Sequence, residues 1–221
     1  MSSISTLTFD RLALVRRGRW LSAATLAYNC LEGVIAILVG LGAGSVALVG
    51  FGIDSGIEVS ASVVALWRLS ADAEPLRRAR VERMSHRTIG CLFLALALYV
   101  AVDAVHALLR HAAPEASVTG IVLAMASLVV MPYLARKKRR IGAALGSRAL
   151  ISESAQTSLC TYLSAILLGG LLLNAVVGWW WSDPVAALLM VPIIAREGIE
   201  GLRGESPCAD GCHSLNSRED R

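Results

Sequence analysis

Charged residues and long polar stretches are scarce in this chain of 221 residues. Only 17% of the residues are charged, 55% are hydrophobic, and the mean hydropathy is +0.60. A soluble globular domain carries about 25% charged residues. This scarcity extends over the whole length of the chain, so it excludes an ordinary soluble domain and predicts an integral membrane protein.

Motifs of common enzymes are also absent. The chain has no GxxxxGK[ST], no HExxH and no GxSxG motif, so no covalent chemistry and no enzymatic activity are predicted. The glycine-rich run GVIAILVGLGAGS is predicted to end in a tight turn, with Gly33, Gly40 and Gly44 as close-packing points between helices. The opening residues lack an apolar core followed by a cleavage site, so no cleaved signal peptide is expected.

The cysteines do not form a disulfide pattern. Three of the five lie inside apolar stretches, and Cys208 and Cys212 lie in the polar tail, which is typical of cytosolic thiols. Together with His213 they form a CxxxCH run that offers ligands for a soft metal. This run lacks the usual CxxC spacing and a fourth ligand, so a flexible tail is the preferred interpretation.

Apolar segments recur along the chain at lengths close to that of a membrane span. A helix needs about 20 residues to cross about 30 Å of hydrocarbon. Six such segments are present, the last short and continued by an amphipathic stretch: 20–41, 45–67, 89–109, 118–134, 149–174 and 184–195. The predicted fold is therefore an all-α integral membrane protein with six transmembrane helices.

Basic residues are distributed unevenly between the connections. Apart from Arg110, all of them lie at the ends of the chain or in the even-numbered loops, such as ARKKRR. The positive-inside rule then places both termini in the cytoplasm. The net charge of +4 thus reflects orientation in a lipid bilayer, and no nucleic-acid partner is predicted. Trp179, Trp180 and Trp181 are predicted to anchor the outer interface.

The predicted organisation has three parts. A cytoplasmic segment of residues 1–19 precedes a six-helix transmembrane domain of residues 20–203, and residues 204–221 form a disordered cytoplasmic tail. Arginine greatly outnumbers lysine, which is typical of a GC-rich bacterial genome. The expected location is a cell membrane, as a multi-pass protein of the bacterial inner membrane.

Two carboxylates interrupt the second apolar segment. Asp54 and Glu58 lie in SVALVGFGIDSGIEVSASVVALW, four residues apart and therefore on one face of a helix. A charge near the bilayer centre costs at least about 3 kcal/mol, so such residues usually face a water-filled path, an ion or a partner. The pair predicts a metal- or proton-handling site inside the membrane.

The fifth apolar segment carries a second candidate face. Glu153, Gln156 and Cys160 recur at helical spacing, and each side chain offers a lone pair to a cation. The alternative is that Glu153 reaches to the cytoplasmic surface while Gln156 and Cys160 pack between helices.

Further polar residues lie in the first and third segments. Asn29 and Glu32 share one turn of the first, and a buried glutamate needs a partner or water. Asp103 and His106 share one turn of the third segment, where His106 is a candidate proton relay near neutral pH. A solvated hydrogen bond between the two is the alternative.

Two motifs resemble those of the cation diffusion facilitator family. GSVALVGFGIDSGIE resembles the family's second-span pattern, with Asp54 and Glu58 at its two metal-ligand positions. GWWWSDPVAALLMVPIIAREGIEGLR is similar to its sixth-span Trp-Ala-Asp-Pro pattern, with Asp183 at the acidic position. Counting back from there places the family's fifth-span HxxxD pair on Gln156 and Cys160. The resemblance covers about residues 17–203 in topology.

This resemblance implies a tetrahedral site for zinc or a related divalent ion between the second and fifth spans. The chain departs from the pattern, because both histidines are missing and a Gln–Cys pair replaces His–Asp. Glu153, one turn from Gln156, is the alternative fourth ligand. The family's small C-terminal cytoplasmic domain is expected to be absent, since the sequence ends about where that domain would begin.

The function implied is efflux of a divalent metal cation, with zinc the expected ion, by antiport against protons. The metal and the protons are substrates, no resident cofactor is predicted, and a homodimer is expected from the resemblance alone. The main alternative is a non-transporting membrane protein that senses metal or modulates a partner. A proton-coupled carrier for a small organic cation is a third.

Overall fold

The protein is described here by a computed structural model, which covers residues 2–70 and 75–203. Within these ranges the chain forms helices and short connections, without strands. The six helices are α1 (Ser2–Ala43), α2 (Val46–Ser70), α3 (Pro75–Leu109), α4 (Val118–Leu145), α5 (Arg148–Val177) and α6 (Ser182–Arg203).

Each predicted apolar segment corresponds to one helix, so the all-α membrane fold with six helices is confirmed. Among the described residues, five segments are long and apolar enough to cross a membrane: Leu12–Ala43, Val46–Val63, Arg87–Leu109, Val118–Leu145 and Glu153–Val177. Helix α6 does not meet that criterion, because its second half is charged. The cytoplasmic position of both termini stays a prediction.

Local sequence signals set where several helices begin and end. Ser117 and Ser147 precede α4 and α5, and each hydroxyl accepts a hydrogen bond from the backbone N–H three residues later. These caps satisfy N–H groups that have no partner inside the helix. Gly146 and Gly178 end α4 and α5 with φ of 62° and 71°, a conformation that glycine adopts without steric cost.

Helices α1 and α2 form an antiparallel pair whose backbones approach closely at glycines. A Cβ atom on Gly33 would lie 3.1 Å from the Gly52 carbonyl, and one on Gly40 would lie 2.9 Å from the Val49 nitrogen. These two close-packing points are therefore confirmed. The prediction for Gly44 was wrong, because this residue has φ of 67° and no neighbour near its Cβ position; it forms the turn instead.

Helix α2 is the central element of the bundle. It contacts α1, α3, α5 and α6, whereas α4 packs against α1 and α5. Of the candidate span Val46–Val63, 72% is buried, against 28–33% for the other four spans. The acid-bearing helix is thus surrounded by protein, while the other spans present wide apolar faces outward.

Asp183 at the start of α6 binds the start of α2. Its carboxylate is fully buried and accepts hydrogen bonds from the Ser45 hydroxyl at 2.5 Å and from the Val46 and Ala47 N–H groups at 2.9 and 3.4 Å. Because these N–H groups belong to the first turn of α2, a side chain from α6 supplies the cap and meets the positive end of the helix dipole.

Replacing Asp183 by alanine is expected to lower the free energy of unfolding by about 2–3 kcal/mol, since buried donors then lose a charged acceptor. Thermal unfolding in detergent, followed by tryptophan fluorescence, measures the effect. Glu115→Ala removes an exposed acid from the α3–α4 connection and is the matched control. An unchanged melting temperature in Asp183→Ala would show that water replaces the carboxylate at no cost.

Candidate cation-binding site

Both predicted acids of α2 face the interior of the bundle. Asp54 is 3% exposed and Glu58 is 4% exposed. The Asn29 amide on α1 donates a hydrogen bond of 2.6 Å to Oε2 of Glu58. The carboxylate of Asp54 accepts no hydrogen bond from a side chain or backbone group in the described part of the chain. The predicted position of the pair on one buried helix face is therefore confirmed, and its role as a metal ligand stays a prediction.

Cys160 lies close enough to these acids for their charges to act on it. Its side chain is fully buried on α5, and the carboxyl groups of Glu58, Glu32 and Asp54 all interact with it electrostatically. Its sulfur lies 3.9 Å from the Ser127 hydroxyl of α4. The structure thus places Cys160 within electrostatic range of the α2 acids, but not close enough to form a metal-binding cluster with them.

Glu153 belongs to a separate cluster of polar side chains that come from four helices. Its carboxylate accepts hydrogen bonds from Ser22 of α1 at 2.6 Å and from Ser62 of α2 at 3.0 Å. The Lys138 ammonium of α4 lies 2.7 Å from the same carboxylate and 3.2 Å from the Thr157 hydroxyl of α5. Glu153 therefore does not extend to solvent, and the Lys138 ammonium balances its negative charge.

Lys138 is a functional candidate that the sequence reasoning missed. It is fully buried, although its neighbours Arg136, Lys137, Arg139 and Arg140 in the basic run are exposed. A signal was available, because the buried positions 131, 135, 138 and 142 recur at helical spacing along α4. That spacing continues the inward face of the helix through position 138.

The remaining predicted residues form no described contact with the α2 acids or lie outside the described ranges. Gln156 is 9% exposed on α5, one turn before Cys160. On α3, His106 is exposed and Asp103 accepts a 3.5 Å hydrogen bond from Tyr99. The CxxxCH run of the tail lies outside the described residues, as does the predicted segment 204–221.

No preformed metal centre is present in residues 2–70 and 75–203. Within them, no three His, Cys, Asp or Glu side chains lie close enough together to hold an ion. The buried polar atoms instead form pairs across helix interfaces, such as Asn29 with Glu58 and Ser55 with Glu32. The interior of the helix bundle thus contains several buried carboxylates at successive positions along its length.

These observations define an all-α membrane protein with an acid-bearing interior, and sequence comparison places it in a family. The cation efflux transmembrane domain matches residues 22–203. The chain therefore belongs to the cation diffusion facilitator family, which confirms the resemblance seen in its second and sixth helices.

Curated relatives are similar over part of their length. Transmembrane protein 163 of Xenopus laevis is 28% identical over 62% of this chain, and an uncharacterized transporter, sll1263, of Synechocystis sp. is 30% identical over 66%. Magnetosome protein MamB of Paramagnetospirillum magneticum is 25% identical over 82%. The chain spans 49% of each of the first two relatives and 62% of MamB.

Proposed function

We propose that this membrane domain carries a divalent metal cation out of the cytoplasm in exchange for protons. Zinc is the ion that the family implies. One of the relatives is named a transporter, and the matching domain is named for cation efflux, which supports transport over a purely structural role.

The observation that carries this proposal is the buried acid pair of α2, which forms no ion pair with the described residues. Asp54 and Glu58 are both at least nine-tenths buried, and neither forms an ion pair with a described residue. A lone charge in such surroundings is costly, so the pair requires protons or a cation. A divalent ion neutralises two carboxylates at once.

The same carboxylates can exchange a metal ion for protons. A carboxylate binds either a proton or a metal ion, so metal binding expels protons and protonation releases the metal. Helix α2 contacts four neighbours, and a rocking movement of the bundle would expose its acids to one side of the membrane at a time. No covalent step is needed.

Flux measurements on the full chain in proteoliposomes test the proposal. A metal-sensitive dye and a pH-sensitive dye inside the vesicles report Zn²⁺, Mn²⁺, Co²⁺ and Cd²⁺ movement together with proton counter-movement. We expect saturable metal flux, coupled to protons, that is absent from protein-free vesicles.

Two results would contradict transport of metal. Saturable metal binding in detergent without flux of any ion would support the sensor or accessory function instead. Flux of an organic cation that continues in the presence of a metal chelator would support the third alternative.

A further inference from the structure

Helices α1 and α2 share a line of polar contacts at the level of the acid pair. Asn29 lies opposite Glu58 and bonds to it at 2.6 Å, and Glu32 lies opposite Ser55, whose hydroxyl donates to its Oε2 at 3.1 Å. The two α1 residues are one turn apart, and Ser55 adjoins Asp54 in the sequence. The α1 side chains thus contact Glu58 and the residue that follows Asp54.

Three oxygen atoms in this line have no hydrogen-bond partner. They are Oδ1 of Asn29, Oε1 of Glu32 and Oε1 of Glu58, and the side chains that carry them are 0%, 1% and 4% exposed. An unsatisfied buried polar atom costs about 1–3 kcal/mol, and such atoms are rare in folded proteins. The hydroxyl of Tyr28 on α1 is also unpartnered and can donate to one of these acceptors, so at least two of them need a group that carries positive charge or donates hydrogen bonds.

We propose that α1 supplies Asn29 and Glu32 as ligands to the cation site, beside Glu58 of α2, so that oxygen atoms of α1 and α2 hold the ion. The proposal rests on the cation-transport function above and specifies its substrate class. Carboxylate and amide oxygens suit cations such as Mn²⁺, whereas thiolate and imidazole suit zinc. The favoured substrate is therefore an oxygen-preferring divalent cation, with Mn²⁺ as its probe.

The geometry of Asn29 separates this site from one built only on α2 and α5. Its Nδ2 holds Glu58 in place while its Oδ1 stays available, so one side chain both orients an acid and offers an oxygen. Cys160, the softest predicted ligand, lies next to Ser127 between α4 and α5. The proposed ligands of α1 are oxygen atoms, so the site does not depend on this thiol.

Binding of Mn²⁺ to the purified full chain in detergent tests the proposal, with free Mn²⁺ followed by electron paramagnetic resonance. We expect Asn29→Leu and Glu32→Gln each to weaken Mn²⁺ binding about 10- to 100-fold. The exposed control Glu115→Gln is expected to leave it unchanged. Zn²⁺ competition then reports the selectivity of each variant.

Asn29→Asp distinguishes a ligand from a purely orienting residue. Aspartate keeps an oxygen ligand but loses the donor to Glu58, so a ligand role predicts that Mn²⁺ binding is retained. Loss of binding equal to that in Asn29→Leu would overturn the ligand role. Wild-type affinity in both Asn29→Leu and Glu32→Gln would overturn it as well.

The same titrations keep this proposal separate from the transport function. If the wild type binds and transports Zn²⁺ but does not bind Mn²⁺, the α1 site is wrong and the transport function stands. If the wild type binds Mn²⁺ through Asn29 and Glu32 yet shows no flux of any ion, the site stands and the transport function is wrong.

Discussion

Asp54→Asn is expected to abolish metal flux in proteoliposomes. The substitution keeps the shape of the side chain but removes one of the two negative charges that compensate a divalent ion. Each lost carboxylate weakens a divalent-metal site strongly, because affinity depends on the charge count of the ligands. We expect flux to fall by at least about 100-fold, and Glu58→Gln to have an effect of similar size.

Stability separates this loss from misfolding. Asp54 is 3% exposed and has no ion-pair partner among the described residues, so neutralising it removes a buried charge and leaves no other charge unpaired. The melting temperature of Asp54→Asn is therefore expected to equal or exceed that of the wild type. Glu115→Gln neutralises an exposed acid and is the matched control for both flux and stability. Flux above half the wild-type rate in folded Asp54→Asn would refute its role in the site.

Lys138→Met is expected to destabilise the protein by about 3–5 kcal/mol. Lys138 is fully buried and Glu153 is 3% exposed, and their charged atoms are 2.7 Å apart. Removing the ammonium leaves a buried carboxylate without a counter-charge. This unpaired charge accounts for most of the expected loss of stability. Unfolding of the purified protein by denaturant in mixed micelles measures the change.

The chain offers a matched control for this substitution, because its two lysines are adjacent. Lys137 is exposed, with its ammonium 5.4 Å from the ring centroid of Tyr133, so Lys137→Met is expected to cost less than about 1 kcal/mol. Adding Glu153→Gln to Lys138→Met should restore most of the lost stability. Equal stability of the two single lysine variants would mean that Glu153 is neutral in the folded protein.

Helix positions were predictable because a bilayer requires about 20 consecutive apolar residues, and a run of that kind is visible in sequence. The acids of α2 were predictable for the same reason, since a carboxylate in such a run stands out. Contacts between helices were not predictable in this way. The Asn29–Glu58 hydrogen bond depends on which faces of α1 and α2 meet, and no single segment encodes that.

Lys138 illustrates a different limit of prediction from the sequence. The positive-inside rule explains the basic run as a whole. It therefore gave no reason to examine Lys138 by itself, although Lys138 faces inward while its basic neighbours are exposed. Helical spacing from Met131 would have placed it on the buried face, but its partner Glu153 lies on another helix. Buried ion pairs between helices are therefore recognised only when both positions are known.

The cap that Asp183 provides ties the first turn of α2 to α6. The carboxylate of α6 holds the first turn of α2, and farther along the helix Glu58 and Ser62 bond to Asn29 and Glu153. Glu58 lies about 20 Å along the helix from the capped end at 1.5 Å per residue. A tilt of about 10° therefore swings Glu58 through about 3 Å, roughly the length of a hydrogen bond, while Ser45 stays still. Such a tilt about the capped end would move Glu58 farther than Asp54.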